Sequence, residues 1–235
     1  ALPDTTFDSD GVLIANTESR GARNEVVRAM NVLPDGRILV AGFARRDTDD
    51  FMVACYLPDG RVDSTFGEEG YAFADFGGLT DQAFAMAVDS QGRIVLAGNS
   101  SGDMTMARFN SDGSRDFTFG SRGQVGFALS TAADGANAVG ITDGGDIIAA
   151  GYTTVSGSRN FAVVRVSESG TLDNFFSGDG IASFNVASGA DDEATSLLLL
   201  PHDKLVVGGV ADLCVFDPSA TWTVSAQNLR SQGKH

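Results

Sequence analysis

Histidine is almost missing from this chain of 235 residues: there are two, His202 and the last residue, His235. That scarcity removes most His-based metal sites and His-dependent nucleophile triads. Lysine is equally rare, with 2 residues against 25 aspartates, and the net charge is −15. A surface of that sign repels phosphate backbones and anionic bilayers, which excludes a basic nucleic-acid face and disfavours membrane docking. No run approaches the roughly 20 apolar residues that span a bilayer. No signal peptide is visible, and the start at Ala1 without Met fits a mature product after signal cleavage or an excised boundary. Cys55 and Cys214 are the only cysteines. Two distant cysteines make no disulfide framework, and they read as free thiols acting as small hydrophobes. There is no phosphate loop, no dinucleotide fingerprint and no Cys-rich metal motif.

Glutamate is scarce as well, at 6 of the 31 acids, while glycine reaches 29. Aspartate and glycine favour turns over helix interiors, so this composition belongs to a turn-dense β protein. An internal repeat then organises the chain. DTTFDSDG at 4–11, DSTFGEEG at 63–70, DFTFGSRG at 116–123 and DNFFSGDG at 173–180 align at spacings of 59, 53 and 57. A second block recurs in phase and ends at Gly42, Gly98, Gly151 and Gly209. A third follows at 50–60, 103–113, 160–170 and 211–220. The repeats run approximately 4–62, 63–115, 116–172 and 173–225, with a tail at 226–235.

Each repeat holds four apolar runs separated by tight polar turns, the mark of hairpins. Four strands in about 55 residues, repeated, is the pattern of propeller blades. The expected fold is an all-β propeller, four blades of four antiparallel strands, in one domain over 1–235. The run at 26–32 and its equivalents carry Ala, Ser and Gly on one face, which suits the crowded place nearest the axis. That run is read as the inner strand, with 38–41, 51–56 and 71–76 stepping outward. The run at 12–16 is an outer strand available to pair with the last blade, and TWTVS at 221–225 is a surplus strand. A closed four-bladed monomer is the first expectation. A five-bladed ring or a half-ring that dimerises are the alternatives.

D-x-T-F-G-x-x-G, then D-x-A-x-A-V, then D-G-(K/R)-I-V-x-A-G, then D-F-x-x-A-R-(Y/F)-N-x-D-G resembles the bacterial delta-60 repeat. Residues 63–115 carry it best, the first and fourth copies are degraded, and the resemblance covers 4–220. It implies a secreted or cell-surface β-propeller and supplies no catalytic residue.

Glu25, Asp81, Asp134 and Asp192 occupy one equivalent position just before the inner strand. Symmetry would gather them at one mouth of the channel, where clustered carboxylates favour an oxygen-ligated cation such as Ca²⁺. The simpler reading is that each caps a turn in its own blade. Phe7, Phe66, Phe119 and Phe176 read as wedges between blades, and Asp4, Asp63, Asp116 and Asp173 as turn acids. Asp8 and Asp10, the set Asp47, Asp49 and Asp50, and the set Asp191, Asp192 and Glu193 are loop acids best explained as solvated charge. His202 sits in a turn with no evident partner. Trp222 and three non-equivalent tyrosines argue against one sugar platform per blade. The expected function is a secreted, periplasmic or cell-surface, non-catalytic module that presents loops to a protein or a surface assembly. It would be a monomer or a dimer completing a larger ring. A lectin-like propeller and a carboxylate-dependent glycan hydrolase are the alternatives.

Overall fold

A computed structural model describes residues 5–8, 10, 12–13, 23–78, 80–185, 191–200, 205–209 and 213–216. The first sheet is a meander of β1 (Arg23–Val32), β2 (Ile38–Arg45), β3 (Asp49–Tyr56) and β4 (Tyr71–Ala74). The second repeats it with β5 (Asp81–Val88), β6 (Ile94–Ser100), β7 (Asp103–Phe109) and β8 (Gln124–Phe127). The third has β9 (Asp134–Ile141), β10 (Ile147–Val155), β11 (Ser158–Val166) and β12 (Ile181–Phe184). Of the fourth, β13 (Ala194–Leu199), β14 (Leu205–Gly209) and β15 (Leu213–Phe216) are described. Every pairing within a sheet is antiparallel. No helix among the described residues is long and apolar enough to cross a membrane. The fold is a β-propeller, and the strand order in each blade is the expected one.

The inner strands carry the packing between blades. β5 lies on β1, β2 and β3, β9 lies on β5, β6 and β7, and β13 lies on β9 and β10. Each inner strand has a register shift at the same place: Val27/Ala29, Ala83/Ala85, Ala136/Ala138 and Ala194/Ser196. Opposite each irregularity stands the glycine that closes the second block. A Cβ on Gly42, Gly98 or Gly151 would collide with the carbonyl oxygen of Val26, Gln82 or Gly135. The bulge brings backbone to where a side chain would stand, so only glycine fits there.

A second repeated contact joins neighbouring blades. The Gly67 N–H donates to the Asp112 carbonyl at 2.6 Å, and the Gly120 N–H to the Ser169 carbonyl at 2.8 Å. The Asp8 N–H donates in the same way to the Asp59 carbonyl at 2.9 Å. The preceding phenylalanine lies beside the turn glycine each time: Phe7 beside Gly60, Phe66 beside Gly113, Phe119 beside Gly170. The N-terminal block thus docks on the first blade as each later block docks on the blade after it.

The core is divided by blade interface. Phe66, Leu39 and Phe51 of the first blade meet Ile94, Leu96 and Phe109 of the second, with Met86 and Val88 packed against them. Val139 and Ile141 play the same part at the second interface, and Leu197 and Leu199 at the third. Their equivalents in β1 are Met30 and Val32, which are 68% and 60% exposed. Leu198, on the far side of β13, is 59% exposed. No packing of β13 on β1 comparable to the other junctions occurs among the described residues. A junction that closes the ring is thus not seen among the described residues. Residues 14–16 and 221–225 lie outside the described residues, and Val12 and Leu13 are not in a strand.

Gly98→Ala should cost about 3 kcal/mol in a denaturant melt, because backbone must move to admit the methyl. Gly126→Ala, whose Cβ would meet only the Thr105 methyl at 3.4 Å, should stay within about 1 kcal/mol of the parent. Equal losses in the two would refute the steric account.

Candidate functional site

The acids of the repeated turn serve the turn. Asp63 Oδ1 accepts from the Thr65 N–H at 3.1 Å and the Thr65 hydroxyl at 2.6 Å. Asp116 holds Thr118 in the same way, at 3.0 and 2.6 Å. Asp173 accepts from the Phe175 N–H at 3.0 Å. Their outer oxygens face cations: Arg108 Nε at 2.7 Å from Asp116, Arg165 Nε at 3.0 Å from Asp173, and Arg37 Nη1 at 3.3 Å from Asp63. Hydrogen bonds from Thr65 hold the Asp63 carboxyl below its usual range, outweighing the effect of burial. Asp4 lies outside the described residues. Phe66, Phe119 and Phe176 are buried at the blade interfaces, as wedges.

Cys55 stands where the next two blades carry Arg108 and Arg165. It is a buried free thiol with Sγ 3.9 Å from Asp63 Oδ2. Burial first, and then the carboxylates of Asp63 and Asp35 against the opposing Arg37, push its pKa to about 11. A thiol so shielded is a poor nucleophile.

The four equivalent acids before the inner strands are not gathered into one ligand set. Asp134 is buried, and its Oδ2 accepts the Leu129 and Ser130 N–H groups, both at 2.8 Å. Its Oδ1 accepts the Ser130 and Thr153 hydroxyls, also at 2.8 Å. That is the turn-cap arrangement, and it uses the carboxylate fully. Asp81 Oδ2 accepts the Phe76 N–H at 2.7 Å. The Asp192 N–H donates to the Arg159 carbonyl at 2.8 Å. Glu25 is half-buried near Tyr56, whose pKa is raised mainly by burial and to a lesser degree by that carboxylate. Among the described residues, one group of three ligand-bearing side chains converges within 4.8 Å, and it is Asp50, Asp75 and Asp81.

Sequence reasoning assigned Asp50 to loop charge and did not single out Asp75. Strand pairing changes both readings. Phe51 pairs with Ala74, which sets Asp50 opposite Asp75, and Asp81 begins the adjacent inner strand. Burial pushes the Asp50 carboxyl up to about 6, with Asp75 and Asp81 adding to the rise and Arg46 opposing it.

A groove of about 430 Å³ lies between the first and second blades, lined in part by Arg46, Glu68, Tyr71, Asp112 and Arg115. Its main cation is committed to structure, because Arg115 donates to the Phe73 carbonyl at 3.0 and 3.2 Å. Tyr56 and Tyr71 are buried and offer no ring face to a sugar. Two exposed rings escaped sequence reasoning: Phe117, 72% exposed, and Phe175, 96% exposed, on the turns of Asp116 and Asp173. The signal was available for Phe175, which replaces the threonine found at 65 and 118. His202 and Trp222 lie outside the described residues, as does the side chain of Cys214.

The family model described as a domain of unknown function (DUF5122), beta-propeller, matches residues 33–66, 90–119 and 145–176. Each match opens at the first hairpin turn of a blade and ends at the D-x-T-F turn or its degraded copy. No curated protein matches the chain. Among solved structures, similarity extends to catalytically inactive virginiamycin B lyase from Staphylococcus aureus with quinupristin. There the identity is 11% and the TM-score 0.49, over 87% of this chain and 58% of that one. A protein of unknown function from Bacteroides caccae gives 13% and 0.43, over 85% and 65%. A gluconolactonase from Xanthomonas campestris gives 13% and 0.31, over 84% of each chain. This chain thus spans less than two thirds of the first two. At these identities the likeness assigns neither activity nor substrate.

Asp116→Ala would leave the buried Arg108 guanidinium without its carboxylate and should cost about 3–5 kcal/mol. Asp59→Ala, which removes only exposed contacts with Arg61, the side-chain pair and the bond from its N–H, should leave the denaturant midpoint almost unchanged. For Asp50 the folded state holds a proton that the unfolded chain has released, between the unperturbed 3.8 and about 6. Stability in chelator should therefore fall as pH rises through that window and then level off. Asp50→Asn should lack that component when melts are compared from pH 4 to 7. Superimposable profiles would show that Asp50 titrates normally.

Proposed function

We propose that the chain is a non-catalytic binding and structural module of an extracytoplasmic or cell-surface protein. Its blades form a rigid arc that presents turns to a protein partner, and its first blade joins a further propeller sheet. The observation that carries this reading is the exposed face of β1, which no described residue covers. Met30 and Val32 occupy the positions that Met86 and Val88, Val139 and Ile141, and Leu197 and Leu199 fill at successive blade interfaces. Side chains selected for an interface, yet left exposed, favour association through that face. The N-terminal turn already sits on the outer part of the same face, with Leu13 packed beside Tyr56 and Met52. A matching sheet comes from further repeats or from a second copy of the chain. The exposed Phe117 and Phe175 give the turns an apolar tip suited to a protein surface.

Sedimentation velocity tests the joining face. The chain should self-associate in the micromolar range, and Met30→Glu with Val32→Glu should leave a folded monomer. A parent that stays monomeric at all concentrations, or a double variant that associates equally, would overturn the reading.

A further inference from the structure

The junctions between successive blades share one packing plan, and the first differs from the second in its polar contacts. At the second junction the inner-strand acid Asp134 is satisfied by two backbone N–H groups and two hydroxyls, those of Ser130 and Thr153. At the first junction Asp81 takes its place, and Phe76 takes that of Leu129 as the N–H donor. Gly77 then stands where Ser130 stands, so one hydroxyl donor is missing. Asp81 is fully buried, and its Oδ1 has no hydrogen-bond partner. A Cβ on Gly77 would meet nothing within 4 Å, so there is room beside the turn.

The neighbouring strand ends depart in the same direction. In the third blade the residues at the places of Asp50 and Asp75 are Asn160 and Asn185, which join by an amide hydrogen bond of 2.9 Å. In the second blade they are Asp103 and Ala128, a single acid that is exposed. Among the described residues only the first blade puts two carboxylates at this place, and with Asp81 they bring three ligand oxygens within 4.8 Å. Two carboxylates cannot make the bond that two amides make, because both groups only accept when ionised. Arg46 acts on Asp50 and Arg115 on Asp75, while Thr48 reaches Asp50 only at 3.5 Å and the Gly77 N–H donates to Asp75 Oδ1 at 2.6 Å. Two guanidiniums do not balance three acids, and neither hydrogen bond reaches Asp81 Oδ1.

We propose that Asp50, Asp75 and Asp81 form a binding site for a divalent cation, Ca²⁺ by preference, clamping the first blade to the second. Carboxylates from separate strand ends suit the flexible oxygen coordination of Ca²⁺ better than the strict octahedron of Mg²⁺. The ion would supply the partner that Asp81 Oδ1 lacks. It would remove the repulsion between Asp50 and Asp75. It would also tie three elements, the start of β3, the end of β4 and the start of β5, across the interface. Ser100 pairs with Asp81 across β5 and β6, and its hydroxyl and Asp81 Oδ1 would both lie within 3 Å of a Cβ on Gly78, so a neutral oxygen stands on the same side as the orphaned one.

The test uses the full chain stripped with chelator, titrated with Ca²⁺ alone by calorimetry and followed by thermal melts. One Ca²⁺ per chain is expected, with the midpoint rising by about 5–10 °C at a hundredfold excess over Kd. Asp50→Asn with Asp75→Asn rebuilds the amide pair of the third blade, so it should fold. It should lose both the binding heat and the Ca²⁺-dependent shift. Asp103→Asn, the equivalent acid of the second blade, should retain both. No Ca²⁺ binding by the parent at millimolar concentration would overturn the proposal. So would binding left intact in the double variant, which would place the ion elsewhere.

Discussion

The blades hold together because each inner strand brings its backbone, at a bulge, to a place where no side chain fits. The glycine opposite the bulge lets the second strand stay in register, and the irregularity is repeated in all four sheets. From that follows the small-residue face of the inner strand and the close stacking of one blade on the next. The D-x-T-F turn then fastens the outer part of the same interface. Its aspartate closes the turn, its phenylalanine enters the gap, and the residue after the phenylalanine donates to a carbonyl of the next blade. Loss of the aspartate would loosen the phenylalanine that it positions, so turn and wedge act as one unit.

Much of this was legible in the sequence, for a physical reason. Blade packing repeats in space, so it forces residues to repeat in the chain. Among the described residues, the closing glycines, the wedge phenylalanines and the turn acids stand where the alignment put them to use. The inner strand was legible from Ala83, Ala85 and Ala87, because crowding selects small side chains. Closure of the ring was not legible. It depends on the angle between successive sheets, which no period along one strand encodes. Met30 and Val32 look like ordinary interface residues in sequence, and only the structure shows that nothing described covers them.

The acids divide in the same way. Equivalent positions in the chain suggested that Glu25, Asp81, Asp134 and Asp192 would converge. Fourfold equivalence sets residues at equal distances around a centre without making those distances short. Asp134 turns back to cap the loop between Leu129 and Ser130, because buried N–H groups there need an acceptor. The convergence that does occur, of Asp50 and Asp75 with Asp81, joins positions from three different blocks. The aligned repeats already contained two aspartates where the third blade has two asparagines. Its meaning required the register that places those residues opposite each other.

The departures from the repeat concentrate in the first blade, and they differ in how they are compensated. Cys55 replaces the arginine that pairs with the turn acid in the next two blades, and Arg37 reaches across from the hairpin to serve Asp63 instead. The blade thus repairs that change from its own residues, and the turn keeps its geometry. Gly77 and Asp75 are changes of another kind, because together they remove a hydroxyl donor and, opposite the acid Asp50 that the repeat motif itself carries, add negative charge around a buried carboxylate. A repeat that drifted without function would lose charge at such a place, as the second blade does with Ala128. Gain of charge at an interface costs stability unless something binds there. The uncompensated departure is therefore the place where the proposed cation would act.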